Sequence, residues 1–175
     1  AAVVLGITWV PVMQAMNEHP TTLVISHRGF VDGGVENTIE ALEAAKAVGA
    51  DLVEMDVMQT KDGKFIVMHD PNLERLSGQN VNVKDLTQEE PTAMTVHDEH
   101  GHEGAIPSLE EYVTKAQELD LPLLMEIKMG GLDSDDHVEL FVAEMERLGA
   151  GEQGDDRRRT WHDRCPPGYA AQFCG

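Results

Sequence analysis

The sequence predicts an α/β fold built on a mainly parallel sheet. Three observations carry that expectation. Short apolar runs (TLVIS, DLVEMDVM and LPLLMEIK) alternate with longer amphipathic stretches. Capping residues open the amphipathic stretches, as at Pro107-Ser108. Strand followed by helix, repeated, is the pattern of βαβ units. At 175 residues with 41% apolar and 26% charged side chains, the chain is long enough to bury a substantial core.

The first strand is expected at Thr22–Ser26, with His27-Arg28-Gly29 directly after it and then the glycine-containing loop FVDGGVENT. A helix follows from a cap at Asn37, with Glu40 three residues on as in a capping box. Ile39, Leu42, Ala45 and Val48 form its apolar stripe, and Gly49 sits where a left-handed C-terminal residue is wanted. The second strand spans Asp51–Met58, the Asp62-Gly63 pair reads as a two-residue turn, and Phe65–Met68 is the return strand.

From Pro71 to Ile106 the pattern weakens, and the stretch reads as an insertion outside the core. Ser108 and Glu111 then form a second capping box, with Leu109, Tyr112, Val113 and Ala116 inward. LPLLMEIK is the next strand. A third helix in DSDDHVELFVAEMERLG turns Val138, Phe141, Val142, Met145 and Leu148 inward. Beyond Ala150 the chain has no period, an arginine run (Arg157-Arg158-Arg159) and both cysteines, Cys165 and Cys174, and no structure is expected there.

The net charge of −19 lies wholly in residues 1–150, which hold 28 acids against 9 bases. Such a body excludes nucleic acid as a partner, because phosphate backbones require a basic footprint. It is compatible with divalent cations. The apolar lead-in AAVVLGITWVPVM is shorter than the ~18 residues of a spanning helix. Two readings stay open: a stray hydrophobic segment, or the end of a membrane helix.

Carboxylates within apolar strands are costly unless something compensates their charge. Side chains alternate along a strand, so Glu54 and Asp56 share a face near the carboxyl end of theirs. Ligands bind at that end of parallel sheets. Two adjacent carboxylates repel, and a hard cation such as Ca²⁺ or Mg²⁺ would relieve them. An E-x-D pair alone is more often the solvated face of a strand. With Asp62-Gly63 as the turn, Lys61 opposes Lys64, and His69 is expected opposite Asp56 on the same face. Glu126 and Lys128 end the LPLLMEIK strand at the same rim, and His27 and Arg28 close the first. By contrast His97, His100 and His102 lack a zinc-motif spacing and read as a solvated loop.

His27-Arg28-Gly29, Glu36-Asn37-Thr38, Glu54-x-Asp56, the T-K-D-G turn, His69-Asp70-Pro71 and Glu126-Ile127-Lys128 closely resemble the motifs of glycerophosphodiester phosphodiesterases. The resemblance spans about residues 23–150. It implies a TIM (β/α)8-type barrel with a small insertion after the His-Asp motif, here about residues 73–106. Since such barrels typically take ~250 residues, only about the first half is expected here, in a truncated chain. The resemblance makes Glu54, Asp56 and Glu126 ligands of a divalent cation (Ca²⁺ or Mg²⁺), and His27 and His69 the acid–base pair. Arg28 and Lys128 would hold the phosphate, while Glu36 and Asn37 would shape the first loop, Glu36 also making a polar contact in the substrate site. The implied reaction is metal-dependent hydrolysis of a small glycerophosphodiester to an alcohol and glycerol 3-phosphate, through a cyclic phosphate. The alternatives are a related lipid phosphodiesterase of phospholipase D type and an inactive fragment. Some family members carry a membrane domain before the barrel. Residues 1–20 would then be its end and place the enzyme at a membrane; otherwise it is cytoplasmic or extracellular.

Overall fold

The computed structural model describes residues 23–128 and 136–150. Expectations for the N-terminal lead-in and for the tail after Ala150 lie outside these residues. In chain order the described elements are β1 (Ile25–His27), α1 (Ile39–Ala47), β2 (Leu52–Gln59), β3 (Phe65–Val67), α2 (Glu74–Ser77), α3 (Glu89–Thr92), β4 (Thr95–His97), β5 (Glu103–Ala105), α4 (Leu109–Glu118), β6 (Leu123–Ile127) and α5 (His137–Arg147). A 3-10 turn covers Val83–Asp85.

β2 is the centre of the sheet. β1 pairs with it in parallel, Ile25 beside Leu52 and His27 beside Glu54. β6 pairs in parallel along the other edge, from Val53 beside Leu123 to Val57 beside Ile127. β3 returns antiparallel on the edge that β1 leaves at Glu54, with Val57 beside Val67 and Gln59 beside Phe65. The architecture is α/β with a mainly parallel sheet, as the strand–helix alternation predicts. No helix among the described residues is long and apolar enough to cross a membrane.

Alternation along β2 separates chemistry from packing. Val53, Met55 and Val57 are buried against the helices, in a core with Leu42 and Ala45 of α1, Leu109, Tyr112, Val113 and Ala116 of α4, and Phe141 of α5. The opposite face carries Leu52, Glu54, Asp56 and Met58. Fully burying one large apolar side chain stabilises by about 1.5–3 kcal/mol, so the helix-side core anchors β2 while its other face carries charge. The Ser108–Glu111 capping box forms as expected, and Gly49 takes the left-handed φ of 82°.

Several expectations need correction. The α1 cap is Thr38, whose hydroxyl accepts from the Ala41 N–H. Asn37, the expected cap, has φ 60° and turns its amide toward the sheet. Val48 ends α1 as its C-cap and is exposed; in α5, Val138 and Val142 are exposed too. The α5 stripe is narrower than expected because His137 and Phe141 both meet the Phe65 ring edge-on, at 5.5 and 5.6 Å, which sets the helix's rotation. The first strand starts at Ile25, with Leu23, Val24 and Ile25 exposed rather than buried.

The insertion is not outside the core. Leu73, Leu76, Val83, Val96 and Ile106 join Val35, Met58, Ile66 and Met68 in a second apolar cluster. Its elements are three or four residues long, too short to show a period.

The hairpin register also differs by one residue. Lys61, Asp62 and Gly63 form a three-residue loop, closed by Thr60 N–H to Lys64 O at 2.9 Å, with Gly63 at φ 75°. Thr60 selects this form. Its hydroxyl bonds Asp62 at 2.7 Å, and the Gln88 N–H pins the same carboxylate at 3.0 Å. A glycine in the left-handed position is the usual end of such a loop. The Met68 N–H therefore donates to Asp56 O, and His69 lies one position past the expected partner.

Candidate active site

The parallel registers bring three carboxylates together. Asp56 lies beside Glu126 across the β2–β6 pair, and Glu54 is two residues earlier on the same face. One oxygen from each of Glu54, Asp56 and Glu126 lies within 4.8 Å of the others. Asp56 is fully buried, Glu54 part-buried, and Glu126 opens to solvent.

Two cations lean on this group. Lys128 continues β6, its N–H bonded to Val57 O at 2.9 Å, and its ammonium lies 2.6 Å from Glu126 and 2.9 Å from Asp56 Oδ1. Burial opposes the ammonium, but its hydrogen bond to Glu126 and the charges of Asp56 and Glu126 outweigh it and raise the Lys128 pKa. Arg28 follows β1 with φ 56°, a left-handed conformation that costs a residue with a Cβ roughly 1–2 kcal/mol. That turn aims its N–H at Glu54, 2.9 Å from the carbonyl and 3.1 Å from Oε2. Its guanidinium reaches Glu36 at 3.0 Å and lies 3.2 Å from Asp56 Oδ2.

Asn37 completes the arrangement. Its Nδ2 donates to Asp56 Oδ2 at 2.9 Å, and its Oδ1 accepts the Asp56 N–H at 3.3 Å. The amide thus serves the stretch of β2 between the end of β1 and the start of β3. The reading of Asn37 as a helix cap missed this contact; only its neighbour Thr38, an equally good cap, hinted that Asn37 was free for other work.

Asp56 Oδ1 has no solvent contact and no aligned hydrogen-bond donor, although the Lys128 ammonium is close. Burial and the neighbouring Asp56 charge push the Glu54 carboxyl above its ordinary value, which the Arg28 N–H only partly offsets. A buried oxygen lacking a directed donor, a crowded carboxylate and an open third acid are the all-oxygen donor set that a hard divalent cation takes. The residues fit such an ion.

The histidines are placed differently from each other. His27 is 70% exposed at the end of β1, with Nε2 3.7 Å from Glu54. His69 follows β3, and its Nδ1 lies 2.6 Å from Asp70 Oδ1. With the register shifted, His69 is tied to the acidic group through side chains rather than by direct opposition: Asp70 meets Arg75, Arg75 meets Glu36, and Glu36 meets Arg28. Arg75 carries no signal in the sequence that separates it from a surface charge. His97, His100 and His102 stand on the β4–β5 hairpin, where His102 Nδ1 bonds Asp98 at 2.7 Å.

Residues 27–161, more than half of the chain, match the model of the glycerophosphoryl diester phosphodiesterase family. The chain belongs to that family. The match opens at His27 and takes in every residue of the acidic group. A glycerophosphodiester phosphodiesterase of Caldanaerobacter subterraneus is 39% identical over 112 residues, 62% of this chain and 46% of that protein. A lysophospholipase D of Rattus norvegicus is 48% identical over 62 residues, 35% of this chain and 20% of that one. Among solved structures, an Oleispira antarctica phosphodiesterase in complex with the product sn-glycerol-3-phosphate superposes with a TM-score of 0.64 at 27% identity, over 77% of this chain and 55% of that one. The Thermotoga maritima glycerophosphodiester phosphodiesterase superposes with a TM-score of 0.58 at 30% identity, over 74% and 52%. These neighbours are TIM-barrel proteins, and the α/β architecture with its mainly parallel sheet accords with a part of such a barrel. The chain spans about half the length of the Caldanaerobacter, Oleispira and Thermotoga proteins, and the match covers 20% of the rat one.

Proposed function

We propose that this chain carries the metal-dependent phosphodiesterase chemistry of its family, hydrolysing a glycerophosphodiester to an alcohol and glycerol 3-phosphate. The observation that carries the reading is the convergence of Glu54, Asp56 and Glu126 at the carboxyl ends of parallel strands, with Arg28 and Lys128 beside them.

Glu54, Asp56 and Glu126 would hold Ca²⁺ or Mg²⁺. The bound cation supplies charge neutralisation and Lewis acidity at the phosphoryl oxygens. Arg28 and Lys128 would bind the anionic diester and counter the charge that grows in the transition state. His27 and His69 form the acid–base pair. One removes the proton from the glycerol hydroxyl that attacks phosphorus, and the other protonates the departing alkoxide. The resulting cyclic phosphate is opened by water with the roles exchanged. Hydrogen bonding of Nδ1 to Asp70 leaves His69 Nε2 as the nitrogen that handles the proton.

The likeness to a lysophospholipase D supports a second reading, in which the substrate is a lysolipid. Choline release from glycerophosphocholine and from lysophosphatidylcholine, with Mg²⁺ or Ca²⁺ and with or without EDTA, separates the two. The account expects cation-dependent release from glycerophosphocholine that EDTA stops and Asp56→Asn lowers by two orders of magnitude or more. Release from the lysolipid alone favours the second reading, and no cation-dependent release from either overturns both.

A further inference from the structure

We propose that Arg75 is a positioning residue for the reaction, holding Glu36 and Asp70 with one guanidinium so that the His69 ring stays in a fixed tautomer. This rests on the reading of His69 as one of the acid–base pair.

The guanidinium is used on two edges. Nη1 and Nη2 donate to the two oxygens of Glu36 at 3.0 and 2.6 Å, a bidentate fork, while Nε donates to Asp70 Oδ2 at 2.5 Å. The other Asp70 oxygen meets His69 Nδ1 at 2.6 Å. Glu36 Oε1 also accepts from Arg28 at 3.0 Å. A single side chain from the insertion therefore joins the loop after β1 to the loop after β3.

The anchorage of Arg75 is independent of these contacts. α2 is four residues long, but Leu73 and Leu76 around it are buried in the second apolar cluster, and Gly78 closes it at φ 72°. The insertion thus has a task that a plain surface excursion lacks. Arg75 is 47% exposed, and an isolated pair at such a site would contribute little. What distinguishes it is the planar fork, which fixes direction as well as charge, and which a lysine cannot copy. Burial opposes ionisation of both carboxylates, yet the Arg75 hydrogen bonds keep Glu36 and Asp70 below their ordinary values.

An ionised Asp70 at Nδ1 keeps the ring proton there and leaves Nε2 bare. Without Arg75 the Asp70 carboxylate is free to turn to solvent, and the tautomer preference goes with it. The test is ¹⁵N NMR of the histidine rings in the full chain, comparing wild type with Arg75→Gln and Arg75→Lys. The expected result is a fall in the Nδ1–H to Nε2–H ratio of neutral His69 by about tenfold, as for loss of one charge-assisted hydrogen bond. His102, bonded to Asp98 within its own hairpin, should keep its ratio in every variant and reports that the insertion is folded. Arg75→Lys is expected to behave like Arg75→Gln, and it serves alone if the glutamine variant does not fold. A wild-type His69 ratio in either folded variant overturns the proposal. The readout needs no turnover, so a shifted tautomer in a chain without activity upholds Arg75 and removes the phosphodiesterase reading instead.

Discussion

Replacing Asn37 with alanine removes one small amide and is expected to cost a large part of the protein's stability. The Nδ2 hydrogen bond to Asp56 goes to a charged acceptor, and such bonds contribute about 1.5–3 kcal/mol. The Asp56 N–H loses its acceptor in a buried place, at about 1 kcal/mol because the bond is already long at 3.3 Å. The backbone adds to this, since φ is 60° and alanine in that region costs about 1 kcal/mol more than asparagine, which tolerates it. Together these give a loss of about 3–5 kcal/mol, against a usual total of about 5–15 kcal/mol for a folded domain. Urea denaturation of the full chain followed by circular dichroism measures it. Asn37→Gly should recover only the backbone part, about 1 kcal/mol. A loss under about 0.5 kcal/mol for Asn37→Ala, the range of ordinary surface changes, would refute the account of how β2 is held at Asp56.

Three further outcomes are expected. In Gly29→Ala the new Cβ would fall 2.7–2.9 Å from the Cβ, C and O of Ala41 at a φ of 85°, whereas at Gly78 (φ 72°) nothing lies within 4 Å. Gly29→Ala should therefore lose about 3 kcal/mol or more and Gly78→Ala about 1 kcal/mol in the same urea assay. Glu36 and Asp70 titrate below their ordinary values when folded. Their contribution is thus complete above the unfolded carboxylate range and is lost as pH falls through the folded values. Thermal melts should drop on acidification below about pH 4, less steeply in Glu36→Gln. Mg²⁺ or Ca²⁺ at about a hundred times its dissociation constant should raise the Tm by roughly 5–10 °C. Asp56→Asn should abolish that rise, and an unchanged rise would mean that the cation binds elsewhere.

Where local chemistry decides structure, the sequence was legible. Ser108 and Glu111 can cap only one way, Gly49 sits where only glycine is comfortable, and Glu54, Asp56 and Glu126 sort to one face by alternation alone. The misreadings arose where two local solutions have similar energies. Asn37 and Thr38 are both good caps, and a buried carboxylate 19 residues away decided between them. Asp62-Gly63 suits a two-residue or a three-residue loop, and Thr60 and Gln88 selected the longer one. Leu73, Leu76, Val83, Val96 and Ile106 are spaced too irregularly to show a period, so their shared cluster could not be read. Arg75 was invisible for a related reason, because its partners Glu36 and Asp70 become neighbours only in the folded chain.

The central claim is that this constellation cleaves a glycerophosphodiester on the side of the alcohol. The most direct test is ³¹P NMR of glycerophosphocholine incubated with the full chain and Mg²⁺ or Ca²⁺. The account predicts that the diester resonance gives way to that of glycerol 3-phosphate as choline is released, and that EDTA, Asp56→Asn or His69→Ala each halts the conversion. Phosphocholine as the product, or conversion that persists at the wild-type rate in Asp56→Asn, would contradict it.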